Sequence, residues 1–367
     1  MQRIVVKIGS STLTAGTRNL SHRRIVDLVG QMARLHDRGH QVVLVSSGAM
    51  ASGRESLGDP ELPKFIPSKQ MLAAVGQPRL MTVYTNFFAI YELNVAQVLL
   101  TRLDLSDRRR YLNARNTLEA LLSRGVIPVV NENDTVATEE IRVGDNDNLS
   151  ALVSNLIEAD LLLMLTDQKG VYTGDPDQDE EAEFIPAVRD QPIPEWLWKA
   201  AGRGSSPLGT GGMFTKLQAA ALARRSGTRV VITQGSLPEV ILRVADGEEL
   251  GTSFEPLVSS LESRKRFILA GPQSDGVIVV DQGAENVLLQ GRSSLLPVGV
   301  IRVKGDFQRG ETVRVLNEQG QEIARGLANY DVHCMKKLRG VHSREIEGIL
   351  GFTYGNELVH HDNMILV

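Results

Sequence analysis

Two lysines stand beside glycine-rich segments in which hydroxyl residues are also concentrated. Lys7 opens the run Lys7-Ile-Gly-Ser-Ser-Thr12, and Lys216 closes the run Gly209-Thr-Gly-Gly-Met-Phe-Thr-Lys216. Backbone N–H groups of glycine-rich turns, together with a cation, can bind phosphate groups. For Lys7 alone, a solvated lysine in an ordinary turn is an equal alternative. The second run leads into a helical pattern and predicts a phosphate site at a helix N-terminus.

The glycine spacing argues against two common nucleotide-binding motifs. Gly-x-x-x-x-Gly-Lys-Ser/Thr, the Walker A loop, occurs nowhere in the chain. No Gly-x-Gly-x-x-Gly follows a predicted strand, which disfavours a Rossmann dinucleotide site. A phosphate site built on the two lysine-containing runs would therefore be of a different kind.

Short polar residues are densest in two segments, Asn131-Glu-Asn-Asp134 and Gly144-Asp-Asn-Asp-Asn-Leu-Ser150. Asn and Asp are common in turns, and Asp147 or Asn148 could simply cap the helix that follows. So many acceptors and amides in so few positions also suit recognition of an amino acid's ammonium group and positioning of a reactive carboxylate. We favour this functional interpretation.

Two further segments follow predicted strands. Val45-Ser-Ser-Gly-Ala-Met50 ends one strand, and Thr166 and Asp167 end or follow a leucine-rich one. Ligands of open parallel sheets bind beyond the carboxyl ends of the strands, so we expect these residues at one edge. Phosphoryl transfer requires mainly alignment and charge neutralisation. Two lysines, with acidic residues that orient them or hold Mg²⁺, meet that requirement.

The elements that position these residues alternate between strands and helices. Runs rich in Val, Ile and Leu predict doubly buried strands at Arg3–Ile8, Gln41–Ser46, Val95–Leu100, Val126–Asn131, Leu161–Thr166 and Arg229–Thr233. Helical patterns are predicted from Ser21, as N-cap, to Gly39, and over Ser68–Tyr91, Leu112–Ser123, Asn148–Glu158 and Thr215–Ser226. The predicted fold class is α/β, with a mostly parallel sheet sandwiched by helices.

The sequence pattern changes after residue 260, where short strand-like runs replace the alternation of strands and helices. We predict a catalytic domain over 1–260, a linker over 261–274 and a small β-rich domain over 275–367. The short strand-like runs of the small domain are Val277–Val280, Gly299–Val303, Thr312–Leu316 and Glu322–Leu327.

Composition limits the classes of function. The chain has 367 residues, a net charge of −4 and a single cysteine, Cys334. A lone thiol fits a reducing compartment, and no apolar run approaches the roughly 18 residues of a membrane span. The chain is therefore expected to be soluble and cytoplasmic, with no membrane partner and no broad cationic surface.

Taken together, these segments resemble the glutamate 5-kinases of the amino acid kinase superfamily. The more specific signal is the pair of polar segments, Asn131–Asp134 and the second polar cluster, Gly144–Ser150. The Lys7 motif and Ser-Ser-Gly are shared across the superfamily, and Phe214 occupies a variable position. The resemblance covers essentially the whole chain, because bacterial members often carry a C-terminal PUA domain. The segments of this chain that are similar to that domain are Gly291-Arg-Ser-Ser-Leu-Leu-Pro, Gly305-Asp-Phe-Gln-Arg-Gly-Glu and Gly326-Leu-Ala-Asn-Tyr.

The resemblance implies an activity and a set of roles. ATP and L-glutamate would give L-glutamyl 5-phosphate and ADP, the first step of proline biosynthesis, with Mg²⁺ required. Members are commonly inhibited by proline and form homo-oligomers, here a dimer or tetramer. Lys7 and Lys216 would stabilise the moving phosphoryl group and Asp147 would hold both lysines. Glutamate would contact Ser47, Asp134 and Asn146, and the nucleotide would contact Lys7, Thr166, Asp167, Thr210, Gly211, Gly212, Met213, Phe214, Thr215 and Lys216. No metal ligand is assigned.

Three alternatives remain open from the residues. The chain could be another amino acid kinase, acting on acetylglutamate, aspartate, carbamate or a nucleotide, although the polar cluster and the appended domain argue against this. It could bind RNA through the PUA-like domain. That region carries ten Lys and Arg against twelve Asp and Glu, a net charge of −2, which disfavours RNA binding. A local basic patch would need Arg264, Lys265, Arg266, Lys336, Lys337 and Arg339. An inactive kinase fold is the third alternative, and the presence of every charged candidate argues against it.

Overall fold

The computed structural model describes residues 1–63, 65–137, 146–176, 178–202, 212–259, 268, 273–291 and 293–367. Contacts between residues divide the chain into two compact units, Met1–Ser260 and Leu261–Val367. Most of the predicted linker, with its basic residues 264–266, falls outside the described ranges. No described helix combines the length and apolar character needed to cross a bilayer.

The larger unit is built on an eight-stranded sheet, which confirms the predicted α/β class. Its strands, from edge to edge, are β3 (Val95–Leu100), β4 (Ile127–Glu132), β2 (Gln41–Ser46), β1 (Arg3–Ile8), β5 (Leu161–Thr166), β9 (Arg229–Gln234), β10 (Thr252–Phe254) and β8 (Ala187–Val188). β9 and β10 pair antiparallel, and the other pairs run parallel. A separate hairpin joins β6 (Val171–Tyr172) to β7 (Phe184–Ile185).

Helices bury both faces of this sheet. Ile4, Val6 and Ile8 of β1 belong to one apolar cluster, and Val5 belongs to the other. This alternation is the consequence of successive strand side chains pointing to opposite faces. The helices are α1 (Ser10–Thr14), α2 (His22–Asp37), α3 (Ala49–Ser56), α4 (Ile66–Ala89), α5 (Arg102–Ser106), α6 (Arg108–Leu122), α7 (Asn146–Leu156), α8 (Glu195–Ala200), α9 (Met213–Arg224) and α10 (Val240–Ala245).

Side-chain caps explain where α2 and α6 begin, and four helices begin before their predicted starts. α2 follows Ser21, whose side chain accepts a hydrogen bond from the Arg24 N–H, as predicted. α6 begins four residues before the predicted start because the Asp107 side chain accepts a hydrogen bond from the Arg110 N–H. α4, α7 and α9 each begin two residues early, so that Asp147 enters the first turn of α7 instead of preceding that helix.

The smaller unit contains its own five-stranded sheet. The order is β12 (Val300–Lys304), β11 (Gln273–Val280), β13 (Thr312–Leu316), β14 (Glu322–Leu327) and β15 (Met364–Leu366). β11 and β13 run parallel, and the other neighbours are antiparallel. The four predicted runs form strands, whereas β15, only three residues long, was not predicted. Helices α11 (Gln282–Leu288), α12 (Val332–Leu338) and α13 (Ile346–Leu350) complete the unit.

Candidate active site

A cavity of about 280 Å³ opens at the carboxyl edge of the larger sheet. The ends of β1, β2, β4 and β5 and the first turns of α7 and α9 contribute to it, as expected for strands that share one direction. Its walls are polar where the strands end. The lining residues are Lys7, Gly9, Ser10, Ser11, Ser47, Gly48, Ala49, Met50, Asn131, Asp134, Asn146, Asp147, Leu165, Thr166, Asp167 and Lys216.

One buried carboxylate lies between the two lysines. Lys7 shares the face of β1 that packs against α7, because it stands two residues after Val5. Asp147 Oδ1 lies 2.5 Å from Lys7 Nζ, and Asp147 Oδ2 lies 3.3 Å from Lys216 Nζ. Thr215 Oγ1 donates a hydrogen bond of 2.7 Å to the same Oδ2. The exposed fractions are 4% for Lys7, 1% for Asp147 and 5% for Lys216.

The electrostatics of this triad favour an additional anion. Burial alone would raise the pKa of Asp147, but the charges of Lys7 and Lys216 outweigh it and hold the pKa well below the usual range. Burial lowers the pKa of Lys216, because its charged form is taken out of water. Two cations around one carboxylate leave a charge of +1 on the three side chains. In a buried site that excess attracts an anion strongly.

A network of amides fixes the opposite side of the cavity. Asn146 Nδ2 donates to the Ser46 carbonyl (3.2 Å), to Ser47 Oγ (3.2 Å) and to Asn131 Oδ1 (2.9 Å). Asn131 Nδ2 in turn donates to Gln77 Oε1 of α4, at 2.8 Å. The buried Asn146 Oδ1 has no hydrogen-bond partner among the described residues. The network therefore leaves a carbonyl oxygen available to a ligand in the cavity.

Asp134 presents a second unused acceptor. It lies just beyond β4, is buried, and lines the same cavity. Its Oδ1 has no hydrogen-bond partner in the described part of the chain. Because no cation among the described residues compensates for the loss of water, burial raises the pKa of Asp134 to about 6. A cationic ligand group beside this carboxylate would supply the missing partner.

The predicted nucleotide residues are only partly gathered at this cavity. Thr166 and Asp167 line it, and Thr166 Oγ1 donates to Asp167 Oδ1 at 2.9 Å. Lys216 also lines the cavity and lies in the first turn of α9. The positive N-terminal end of this 12-residue helix is therefore at the cavity. Gly212, Met213, Phe214 and Thr215 lie outside the lining; the Phe214 ring stacks edge-on against Trp198, with centroids 5.4 Å apart. The predicted residues Thr210 and Gly211, like the first two residues of the second polar cluster, fall in ranges that are not described.

Close contact between α3 and α4 holds the loop after β2 in place. A Cβ atom on Gly76 would lie 1.8 Å from the Ala49 carbonyl oxygen, and one on Gly53 would lie 1.9 Å from the Leu72 carbonyl oxygen. These two glycines let the helix backbones touch. Gly48, at φ 99°, begins α3 in a conformation that side chains rarely adopt. The position of Ser47 therefore depends on Gly48, which belongs to the Ser-Ser-Gly motif, and on Gly53 and Gly76, which belong to none of the motifs.

The structure brings eight predicted site residues to one cavity: Lys7, Ser47, Asp134, Asn146, Asp147, Thr166, Asp167 and Lys216. Two contacts were not predicted. Thr215 was assigned to the nucleotide, yet its hydroxyl holds Asp147. Gln77 was not singled out, because its contact with Asn131 joins residues 54 positions apart and leaves no local signal.

Comparison with known proteins gives matches to both units. The model of the amino acid kinase family matches residues 2–234, and that of the PUA domain matches residues 276–350. The chain is 52% identical over 366 residues to the glutamate 5-kinase of Vibrio campbellii, covering 100% of this chain and 96% of that one. It is 53% identical over 365 residues to the glutamate 5-kinase of Deinococcus radiodurans, with 100% of both covered. Among solved structures, the UMP kinase of Bacillus anthracis is similar with a TM-score of 0.46 and 15% identity, over 70% of this chain and 97% of that one.

Proposed function

Because the chain belongs to the glutamate 5-kinases of the amino acid kinase family, we propose that it transfers the γ-phosphoryl group of ATP·Mg to the side-chain carboxylate of L-glutamate. The products are L-glutamyl 5-phosphate and ADP. A carboxylate oxygen of glutamate forms a bond to the γ-phosphorus while the bond from that phosphorus to the β–γ bridging oxygen breaks. The nucleophile is already an anion at neutral pH, so no general base is needed.

The observation that carries the proposal is the buried Lys7–Asp147–Lys216 triad. A carboxylate that approaches a phosphate brings like charges together, and fixed cations lower the energy of that encounter. Asp147 engages one lysine through each of its oxygens, so the two ammonium groups are held before substrate arrives. Preorganisation of this kind removes the need to reorganise charges during the reaction.

The glutamate end of the cavity has the chemistry of an ammonium site. Asp134 Oδ1 and Asn146 Oδ1 are buried acceptors with no hydrogen-bond partner among the described residues. An ammonium group donates three hydrogen bonds and carries the charge that a buried Asp134 carboxylate needs. Ser47 and Asn131 stand beside them and can contact a substrate carboxylate. We assign recognition of the α-amino group to Asp134 and Asn146, with Ser47 as a further contact.

The nucleotide is assigned to the side of the cavity formed by β5 and α9. Thr166 ends the strand and Asp167 follows it, and the helix N-terminus with Lys216 offers backbone N–H groups and a cation to the phosphates. The family also implies contacts from the glycine loop, residues 210–215. Mg²⁺ arrives with ATP as part of the substrate, and its protein ligands are left unassigned.

The proposal includes a biological context that rests on the resemblance alone. The product would enter proline biosynthesis in the cytoplasm, proline would inhibit the enzyme, and the chain would assemble as a dimer or tetramer. The single cysteine, Cys334, is consistent with a reducing compartment. Titration of activity with proline and the mass of the purified enzyme by light scattering test these points separately from the chemistry.

The substrate is tested with an acceptor panel. The purified chain is incubated with ATP·Mg, hydroxylamine and L-glutamate, L-aspartate, N-acetylglutamate or carbamate, and both ADP and hydroxamate are measured. Hydroxylamine converts an acyl phosphate to a hydroxamate. We expect hydroxamate with glutamate only, because acetylation removes the ammonium charge and aspartate is one methylene shorter. Equal turnover of N-acetylglutamate would contradict the role of Asp134, and no turnover of glutamate would overturn the proposed function.

A further inference from the structure

We propose that Gln77 of α4 is a positioning residue that, through Asn131, helps to hold the substrate-binding amide of Asn146 in its orientation. The inference rests on the proposed function, because it assigns Asn146 to the glutamate site. Gln77 lies outside the cavity that holds the charged triad. It lines a neighbouring cavity of about 240 Å³, which shares Asp134 with the first.

The hydrogen bonds run in one direction across three elements. Asn146 Nδ2, at the start of α7, donates to Asn131 Oδ1 at 2.9 Å, and Asn131 Nδ2 on β4 donates to Gln77 Oε1 at 2.8 Å. Asn131 Oδ1 also accepts the Glu132 backbone N–H at 2.9 Å. Asn131 therefore has both its oxygen and its nitrogen paired, and the chain of bonds ends on the carbonyl of Gln77, whose buried Nε2 has no hydrogen-bond partner among the described residues.

Gln77 reinforces the orientation of the Asn131 amide, which the Glu132 backbone N–H also favours. With an acceptor at Gln77 Oε1, Asn131 turns its nitrogen towards α4 and its oxygen towards Asn146. Without that acceptor, the buried Asn131 nitrogen has no partner, which is costly. A reversed Asn131 amide would place its nitrogen against two donors, the Glu132 N–H and Asn146 Nδ2. The competing arrangements would then differ less in energy, and Asn146 would be held less firmly, by the Ser46 carbonyl and Ser47 Oγ alone.

The orientation of Asn146 matters because of the atom that it leaves free. Its nitrogen is occupied by Ser46, Ser47 and Asn131, so its oxygen is the atom without a hydrogen-bond partner among the described residues. An ammonium group needs an acceptor there. A rotated amide would present a donor to the cation instead. Loss of the Gln77 carbonyl should therefore weaken glutamate binding without changing the lysines that handle the phosphoryl group.

The test compares Gln77→Met, Gln77→Glu and Gln97→Met in full-length enzyme. Methionine keeps the length of the side chain and removes the acceptor, whereas glutamate keeps an acceptor at the same reach. Gln97 lines the same neighbouring cavity but is exposed on β3 and has no contact with Asn131 among the hydrogen bonds of the described residues, so Gln97→Met is the matched control. Thermal unfolding is measured on all three to establish that they fold.

Gln77→Met should raise the KM for glutamate about tenfold, the size expected for one buried hydrogen bond, while kcat and the KM for ATP change less than about threefold. Gln77→Glu should restore most of the affinity, and Gln97→Met should match the wild type. In an Asn146→Ala background, Gln77→Met should add no further effect, because residues that act through one another are not additive. A full tenfold effect in that background would overturn the inference.

The inference and the proposed function can fail separately. If the wild-type chain phosphorylates glutamate and Gln77→Met has wild-type KM, the assignment of Gln77 is wrong and the proposed function stands. If the wild-type chain does not phosphorylate glutamate, both are overturned. A lowered kcat with an unchanged KM would show that Gln77 acts on the reacting groups, which also contradicts a positioning role through Asn146.

Discussion

Replacing Lys216 by methionine should separate the catalytic contribution of this lysine from any contribution to folding. Methionine has a similar length and suits a helix interior, so α9 should be preserved. Asp147 keeps Lys7 at 2.5 Å and the Thr215 hydroxyl at 2.7 Å, so it is not left as an isolated buried charge. Burial lowers the pKa of Lys216, which means that keeping this lysine charged at neutral pH reduces the free energy of unfolding. Lys216 also helps to hold the pKa of Asp147 low and so stabilises the ionised carboxylate. Because these two effects oppose each other, the thermal midpoint of Lys216→Met should stay close to that of the wild type.

The loss of rate is much larger. One cation about 4 Å from an anion contributes about 4 kcal/mol at an effective dielectric constant of about 20. Part of that attraction is already present when ATP is bound, so only the remainder lowers the energy of the transition state relative to the bound substrates. Removal of a preorganised charge-stabilising group typically lowers kcat by about 10²–10³-fold, or about 3–4 kcal/mol. We expect Lys216→Met to fall in this range.

The assay is the initial rate of ADP formation at saturating ATP·Mg and glutamate, together with the KM for ATP and a thermal melt. Lys199→Met, at an exposed position of α8, is the matched control and should behave as wild type. A Lys216→Met enzyme with nearly normal kcat and a greatly raised KM for ATP would contradict the role of Lys216 in stabilising the transition state. It would show that the lysine binds the nucleotide equally in the ground and transition states.

Two predictions concern substrate binding and the scaffold. Because burial raises the pKa of Asp134 to about 6, glutamate binding should weaken as pH falls below that value, with the KM for glutamate rising by up to about tenfold per pH unit. Asp134→Asn should bind glutamate weakly at all pH values and should lack this pH dependence. A wild-type KM that is constant from pH 5 to 8 would contradict the assignment of Asp134. Gly76→Ala, whose new Cβ would lie 1.8 Å from the Ala49 carbonyl oxygen, should lower the thermal midpoint by about 4–10 °C. Gly348→Ala, where the added Cβ meets open space, is its control, and equal midpoints for the two would show that α3 and α4 do not need the glycine.

Much of the larger unit could be predicted because its signals are local. Doubly buried strands are continuous apolar runs, so β1, β2, β3 and β5 were predicted to the residue. The Ser21 cap gave the start of α2 in the same way. The predicted start of α6 was wrong because the Asp107 side chain caps the helix four residues earlier. Three-residue strands such as β15 carry no period and were not predicted.

The site could be predicted as a set of residue types but not as an arrangement. Lys7, Asp147 and Lys216 were picked out because each stands in a motif, and the shared edge of a parallel sheet implied that they meet. Asp147 contacts both lysines only because of how β1, α7 and α9 are placed relative to one another, and no local pattern in the sequence specifies that placement. The amide chain that ends at Gln77 and the backbone contact of Gly53 with Gly76 join distant segments, and neither has a local pattern.

Isotope transfer shows whether the side-chain carboxylate of glutamate attacks the γ-phosphorus. L-glutamate labelled with ¹⁸O in both side-chain oxygens is incubated with the chain, ATP·Mg and hydroxylamine, and the released phosphate is examined by ³¹P NMR. Attack by the carboxylate places one labelled oxygen between carbon and phosphorus, and hydroxylamine then cleaves the carbon side. We predict that each phosphate carries one ¹⁸O. Phosphate without label would show transfer to water or to another acceptor and would contradict the proposed function.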